Sequence, residues 1–129
     1  MAAGGETAAL VMAAGSGSRA GGDVPKQYRL LAGKPLLTHA LEALRHPRID
    51  RLQVVIGEGQ ERHYEEAAAG LPLPSPVLGG ATRRHSVRHG LEALAAAGVE
   101  RVLIHDAARP FLPASVIWAS TRITSPEEE

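Results

Sequence analysis

The 129-residue chain sets 14 Lys and Arg against 14 Asp and Glu, a formal net charge of zero, and contains no Cys. That length fits one domain with its own core, and the balanced charge excludes a whole-molecule field for nucleic acid or an anionic membrane, so any anion site must be local. The missing Cys excludes disulfides and thiolate zinc sites and agrees with a cytoplasmic location, and nothing approaches the ~20 apolar residues of a membrane span.

Residues 1–6 are small and polar and are expected to be disordered, with no secretory signal. Ala8 to Met12 is an apolar run that predicts a short buried strand. Gly15 to Lys26 reads as loop, and Leu30 to Leu37, with Gly33 and Pro35, as a turn entering a helix. That helix is predicted over Thr38 to Leu44, with Leu37, Leu41 and Leu44 on one face and Pro47 as its stop. Leu52 to Ile56 predicts a second buried strand, closed by Gly57 and Gly59. Gln60 to Ala69 predicts a surface helix capped by Gly70. Leu71 to Pro76, with three prolines, is an extended connector, and Val77-Leu78 a brief strand. A helix follows from Thr82 or Arg83 to Ala97, its apolar face carrying Val87, Leu91 and Leu94. Arg101 to His105 predicts a third long strand with Asp106 at its end, and Pro113 opens a further helix. Strands alternating with helices through tight glycine junctions predict an α/β fold with a parallel sheet, whose ligands sit at the carboxyl ends of strands. The turn at Gly15, the pair Gly79-Gly80 and Asp106 each follow a strand, so one crevice is expected to gather all three.

Three stretches are candidates for chemistry. In Ala13-Ala14-Gly15-Ser16-Gly17-Ser18-Arg19, Gly15 and Gly17 let a ligand approach the backbone N–H groups, and Arg19 and Lys26 place two permanent cations beside them. That combination describes a cradle for a polyphosphate, against the plainer reading of a surface loop with solvated cations. Gly15-x-Gly17-x-x-Ala20 nominally fits the dinucleotide fingerprint, but Gly21, Gly22 and Pro25 stand where its helix should begin, and Glu58 lies too far along to be the expected acid. In Gly79-Gly80-Ala81-Thr82-Arg83-Arg84-His85-Ser86, Arg83 is placed to pair with phosphate and Ser86 to donate to a ribose or phosphate oxygen. The alternative is a turn and an amphipathic helix facing water; His85 and His89 lack a third ligand and read as solvent-facing. In His105-Asp106-Ala107-Ala108-Arg109-Pro110, Asp106 is placed to hold Mg²⁺ or another divalent cation, or else simply caps a turn.

With these residues in view, the chain resembles the 2-C-methyl-D-erythritol 4-phosphate cytidylyltransferases of the non-mevalonate isoprenoid pathway. The resemblance rests on Ala13-Ala14-Gly15-x-Gly17-x-Arg19, Pro25-Lys26-Gln27-Tyr28, Gly79-Gly80-x-x-Arg83-x-x-Ser86-Val87 and His105-Asp106-Ala107-Ala108-Arg109-Pro110, in order and in register from about Ala8 to Ile117. It implies a Rossmann-like, mostly parallel nucleotidyltransferase sheet over 7–117. It also implies a reaction in which CTP and methylerythritol phosphate give the CDP-alcohol and pyrophosphate. In that family's terms Arg19 and Lys26 stabilise charge on the transferring phosphate, Gly15 and Gly17 cradle the triphosphate, and Ala13, Ala14, Gly80 and Ser86 contact the nucleoside. Asp106 binds Mg²⁺.

The family continues for about as many residues again, which carry the groups that hold the acceptor and an arm of its expected homodimer. Residues 118–129 depart from the pattern, so the chain is expected to be a shortened copy lacking the C-terminal part, with little activity alone and a disordered tail. Other expectations remain open: a cytidylyltransferase for ribitol phosphate or another sugar phosphate, a non-catalytic CTP-binding remnant, or, last, a dinucleotide-binding module.

Overall fold

The computed structural model describes residues 6–15, 24–107 and 121–122. Its first strand, β1 (Glu6–Ala13), is buried from Thr7 onward. Successive residues of a strand face opposite sides. Ala9, Val11 and Ala13 accordingly join one core layer, and Ala8, Leu10 and Met12 the other.

A 3-10 turn at Lys26–Tyr28 follows the first loop. The stretch read as a plain turn into a helix contains a small antiparallel hairpin, β2 (Leu30–Leu31) and β3 (Lys34–Pro35). Its two connecting residues, Ala32 and Gly33, both have positive φ, 55° and 84°. A two-residue connection of that kind matches the twist of the paired strands, whether or not the first residue is the usual Asn or Asp. Helix α1 (Leu36–Ala43) starts two residues earlier than its apolar pattern suggested, because Pro35 presets the backbone ahead of it. Leu37, Leu41 and Leu44 are fully buried on its inner face.

The second long strand, β4 (Arg51–Ile56), is followed by α2 (Glu61–Ala67), which is shorter than expected and not wholly on the surface, since Tyr64 and Ala67 are buried. The brief strand β5 (Val77–Leu78) precedes α3 (Arg83–Ala96). Thr82 caps that helix, its Oγ1 accepting a hydrogen bond from the His85 N–H at 3.1 Å. Gly98, at φ +85°, ends it in the left-handed conformation that a Cβ would strain. Then comes β6 (Val99–Asp106), and Thr121–Arg122 forms a short β7.

The strand order is β5-β4-β1-β6-β7, parallel except for β7, which runs antiparallel to β6. The chain therefore winds outward from β1 through β4 to β5, then crosses back through α3 to the other side of β1. Helices α1 and α2 cover one layer of the sheet and α3 the other. Winding reverses between β1 and β6, and the crevice beyond the carboxyl ends of those strands is where such sheets take ligands. Among the described residues no helix is long and apolar enough to cross a membrane.

Candidate active site

At the carboxyl end of β1 the backbone leaves the sheet through Ala14 and Gly15. Two glutamine side chains hold this exit. Gln27 Nε2 donates to the Ala13 carbonyl at 2.8 Å and to the Gly15 carbonyl at 2.7 Å. Gln60 Nε2 donates to the same Gly15 carbonyl at 3.3 Å, while its Oε1 accepts the Gly57 N–H at 3.0 Å. Pinning Gln27 also fixes the short turn that starts with Lys26, whose side chain is exposed.

At the end of β5 the glycine pair is required by packing. A Cβ on Gly79 would stand 2.8 Å from the Ala14 Cβ and against the Ser86 hydroxyl, and one on Gly80 only 2.5 Å from the His85 Cβ. Gly79 donates its N–H to the Ile56 carbonyl at 2.8 Å, which ties the segment to β4. The buried Ser86 Oγ accepts the Gly80 N–H at 3.0 Å, leaving the hydroxyl proton to donate elsewhere. The first turn of α3 contains no acid, only Arg83, Arg84 and His85. Positive side chains at a helix N-terminus oppose the helix dipole, and an anion bound there would offset that repulsion.

Asp106 ends β6 as the register partner of Met12, and the Ala107 N–H donates to the Met12 carbonyl at 3.0 Å. The half-buried Asp106 carboxylate thus stands at the height of the Ala14-Gly15 exit. Met12, Ala14, Gly15, Gly80, Arg83, Ser86 and Asp106 line one cleft of about 410 Å³. A wider hollow of about 640 Å³ lies at the opposite, amino ends of the strands, between Leu44–Leu52 and Pro72–Pro74. We place the site in the smaller cleft, because only there do strand ends, an N-terminal helix turn and a carboxylate meet.

The structure brings together Ala14, Gly15, Gly80, Arg83, Ser86 and Asp106. Ala13 turns its side chain into the opposite core layer and offers only its carbonyl, already taken by Gln27. Gly17 and Arg19 lie outside the described residues, as do Arg109 and the helix expected from Pro113. Residue-level reading missed Gln60, which stands at the N-cap position of α2 but makes no side-chain cap bond there. A Gln at an N-cap position, where Ser, Thr, Asp or Asn is preferred, is unusual but does not say what its amide contacts. His63 is half-buried and stacks on the Tyr28 ring with the ring centroids 5.0 Å apart.

An open, mostly parallel sheet whose strand order reverses at β1, with helices on both layers, defines a Rossmann-like α/β fold of the nucleotidyltransferase kind. The family model for IspD, 2-C-methyl-D-erythritol 4-phosphate cytidylyltransferase, matches residues 7–128, and the chain belongs to that family. It is 62% identical over 111 residues to the bifunctional enzyme IspD/IspF of Rhizorhabdus wittichii, covering 85% of this chain and 28% of that one. It is 50% identical over 114 residues to the 2-C-methyl-D-erythritol 4-phosphate cytidylyltransferase of Cereibacter sphaeroides, covering 86% of this chain and 50% of that one. The solved 4-diphosphocytidyl-2C-methyl-D-erythritol synthase of Anaerococcus prevotii superposes with a TM-score of 0.69 at 32% identity, over 84% of this chain and 45% of its own. The chain thus spans about half the length of the single-function relatives and little more than a quarter of the bifunctional one.

Proposed function

We propose that this chain is the nucleotide-handling part of a cytidylyltransferase that moves CMP from CTP to 2-C-methyl-D-erythritol 4-phosphate and releases pyrophosphate. The observation that carries the reading is the cleft between β1 and β6, where an anion-receiving helix end and a carboxylate flank an open glycine turn. The relatives' names supply the nucleotide and the acceptor.

The acceptor phosphate is already anionic, so its oxygen attacks the α-phosphorus in line with no general base. The new P–O bond forms as the bond to the bridging oxygen breaks, and pyrophosphate leaves with that electron pair. Catalysis is then positioning and charge stabilisation. In this reading Arg83 pairs with a phosphate, Ala14, Gly80 and Ser86 meet the nucleoside, and Lys26 and Arg19 offset the charge on the transferring and leaving groups. Gly17 joins Gly15 in the cradle.

Asp106 would hold a divalent cation, which would supply positive charge to offset the negative charge of the triphosphate. The donor set suits Mg²⁺, which uses one or two carboxylates and takes its remaining oxygens from substrate phosphates and water. Among the described residues no cluster of three His, Cys, Asp or Glu offers a cage without the nucleotide. The absence of Cys agrees with work in the cytoplasm.

Pyrophosphate release from CTP, Mg²⁺ and methylerythritol phosphate tests the proposal, with ribitol phosphate as the competing acceptor. Dependence of the release on methylerythritol phosphate supports it. Equal turnover with ribitol phosphate, or preference for another nucleotide, contradicts it. In a full-length version, Lys26→Ala should lower the rate roughly 10²–10³-fold, by analogy with losing one preorganised oxyanion donor.

A further inference from the structure

We infer that Gln60 is a positioning residue at the start of the phosphate-binding turn, holding the Gly15 carbonyl away from the cleft so that this carbonyl presents no lone pair to the triphosphate. The inference rests on the reading of that turn as a phosphate cradle.

Gly15 is exposed, lines the cleft, and has no atom of the described residues within 4 Å of the place a Cβ would take. Glycine turns more freely than any other residue, so the direction of its carbonyl rests on the hydrogen bonds that carbonyl accepts. Two side-chain amides supply them. Gln27 reaches the Gly15 carbonyl from the segment after the loop and Gln60 from the β4–α2 turn. A carbonyl carries the same sign of partial charge as a phosphate oxygen, so a peptide free to rotate would alternately admit and repel the ligand.

Gln60 is set firmly enough for this task. It is 9% exposed, its Oε1 takes the Gly57 N–H, and its backbone N–H donates to the Gly57 carbonyl at 3.1 Å. A Cβ on Gly57 would lie 2.9 Å from the Ala14 carbonyl and 3.0 Å from the Gln60 amide, so the β4–α2 turn packs directly on the β1 exit. The side chain is thus given to the neighbouring strand, although it stands where a capping side chain would serve its own helix.

The polarity of this bridge yields a specific test. In Gln60→Glu the side chain keeps its shape, but a carboxylate oxygen replaces the donor facing the Gly15 carbonyl. Protonation restores a donor, and burial raises the pKa of such a group, so lowering the pH should repair the variant. Gln60→Met keeps the length and loses both bonds at any pH. CTP with Mg²⁺ is titrated calorimetrically into the wild-type chain and both variants at about pH 8 and about pH 6, with thermal unfolding in parallel.

Wild type is expected to bind, and both variants to bind roughly ten-fold more weakly or worse at the higher pH. At the lower pH Gln60→Glu should recover affinity relative to wild type and Gln60→Met should not. Wild-type affinity in Gln60→Met overturns the inference, and this arm stands even if Gln60→Glu fails to fold. A loss shared by both variants that follows their melting temperatures, with no recovery in Gln60→Glu, overturns it as well, since it marks a purely structural residue. If the wild-type chain fails to bind CTP, the nucleotide reading itself falls, an outcome distinct from these.

Discussion

Met12 and Asp106 are partners across adjacent parallel strands, and that pairing sets the height at which every other group of the site must meet. One residue beyond Met12 on its strand lies Ala13, then the Ala14-Gly15 exit. One residue beyond Asp106 lies Ala107, whose N–H closes the ladder on the Met12 carbonyl. Because β1 and β6 belong to opposite windings of the chain, no helix among the described residues crosses between their carboxyl ends. The cleft follows from topology, and side chains then give it a sign.

Ser86→Ala should loosen the cleft without unfolding the protein. It removes the acceptor of the Gly80 N–H at 3.0 Å in a site where Ser86 is 3% exposed. An unsatisfied, partly buried N–H costs about 1–2 kcal/mol. Denaturant unfolding should show that loss, and CTP affinity should fall with it.

Gly90→Ala should be destabilising even though Ala favours helix by about 1 kcal/mol over Gly. A Cβ there would stand 2.6 Å from Leu10 Cδ1 and 2.9 Å from Val55 Cγ2, both in the fully buried layer under α3. Overpacking of this kind costs about 1–3 kcal/mol. Gly15→Ala is the contrast: the added methyl meets none of the described residues within 4 Å, and the expected change in stability is about 0.5 kcal/mol or less. Paired urea unfolding curves decide between them.

Tyr28 predicts an alkaline limit. Burial pushes its hydroxyl well above the ordinary tyrosine range, with Tyr64 and Glu61 adding to the effect, and burial raises Tyr64 too. A raised folded pKa means the unfolded chain ionises first. The stabilisation is complete below the unfolded value of about 10 and is lost as pH climbs from there towards the folded value. Among the described residues the Tyr28 hydroxyl has no hydrogen-bond partner. Tyr28→Phe should therefore cost little at neutral pH, because no bond is broken. It should also flatten the fall in melting temperature above about pH 10.

Ala32→Asn should stabilise the protein. Ala32 holds φ at 55° in the β2–β3 connection, a region that an alanine Cβ disfavours by about 1–2 kcal/mol and that Asn tolerates better. A rise in melting temperature with CTP binding unchanged is the expected outcome.

Much of this architecture was legible in the sequence because it depends on local chemistry. The run from Ala8 to Met12 is apolar at every position, as a strand covered on both faces must be, and Leu37, Leu41 and Leu44 repeat at helical spacing. Glycines after strands marked the ends that converge on the cleft. The β2–β3 hairpin escaped notice because Ala32 is a poor residue for its turn, so the local signal was missing. Gln60 escaped because its role is non-local: nothing in Gly57-Glu58-Gly59-Gln60 indicates that the amide reaches the Gly15 carbonyl, 45 residues away in the chain. The side-chain placement of Ala13 and Ala14 on opposite layers follows from strand alternation, which a motif read as one block conceals.

A nucleoside triphosphate is expected to enter the cleft at the carboxyl ends of β1 and β6. Amide NMR spectra of the chain, recorded while CTP and Mg²⁺ are added, test it most directly. The account predicts saturable shifts centred on Gly15, Gly80, Ser86 and Asp106, with Arg45 to Leu52 at the opposite end of the sheet left unmoved. Shifts confined to that larger hollow, or no saturable shift in either place, would contradict it.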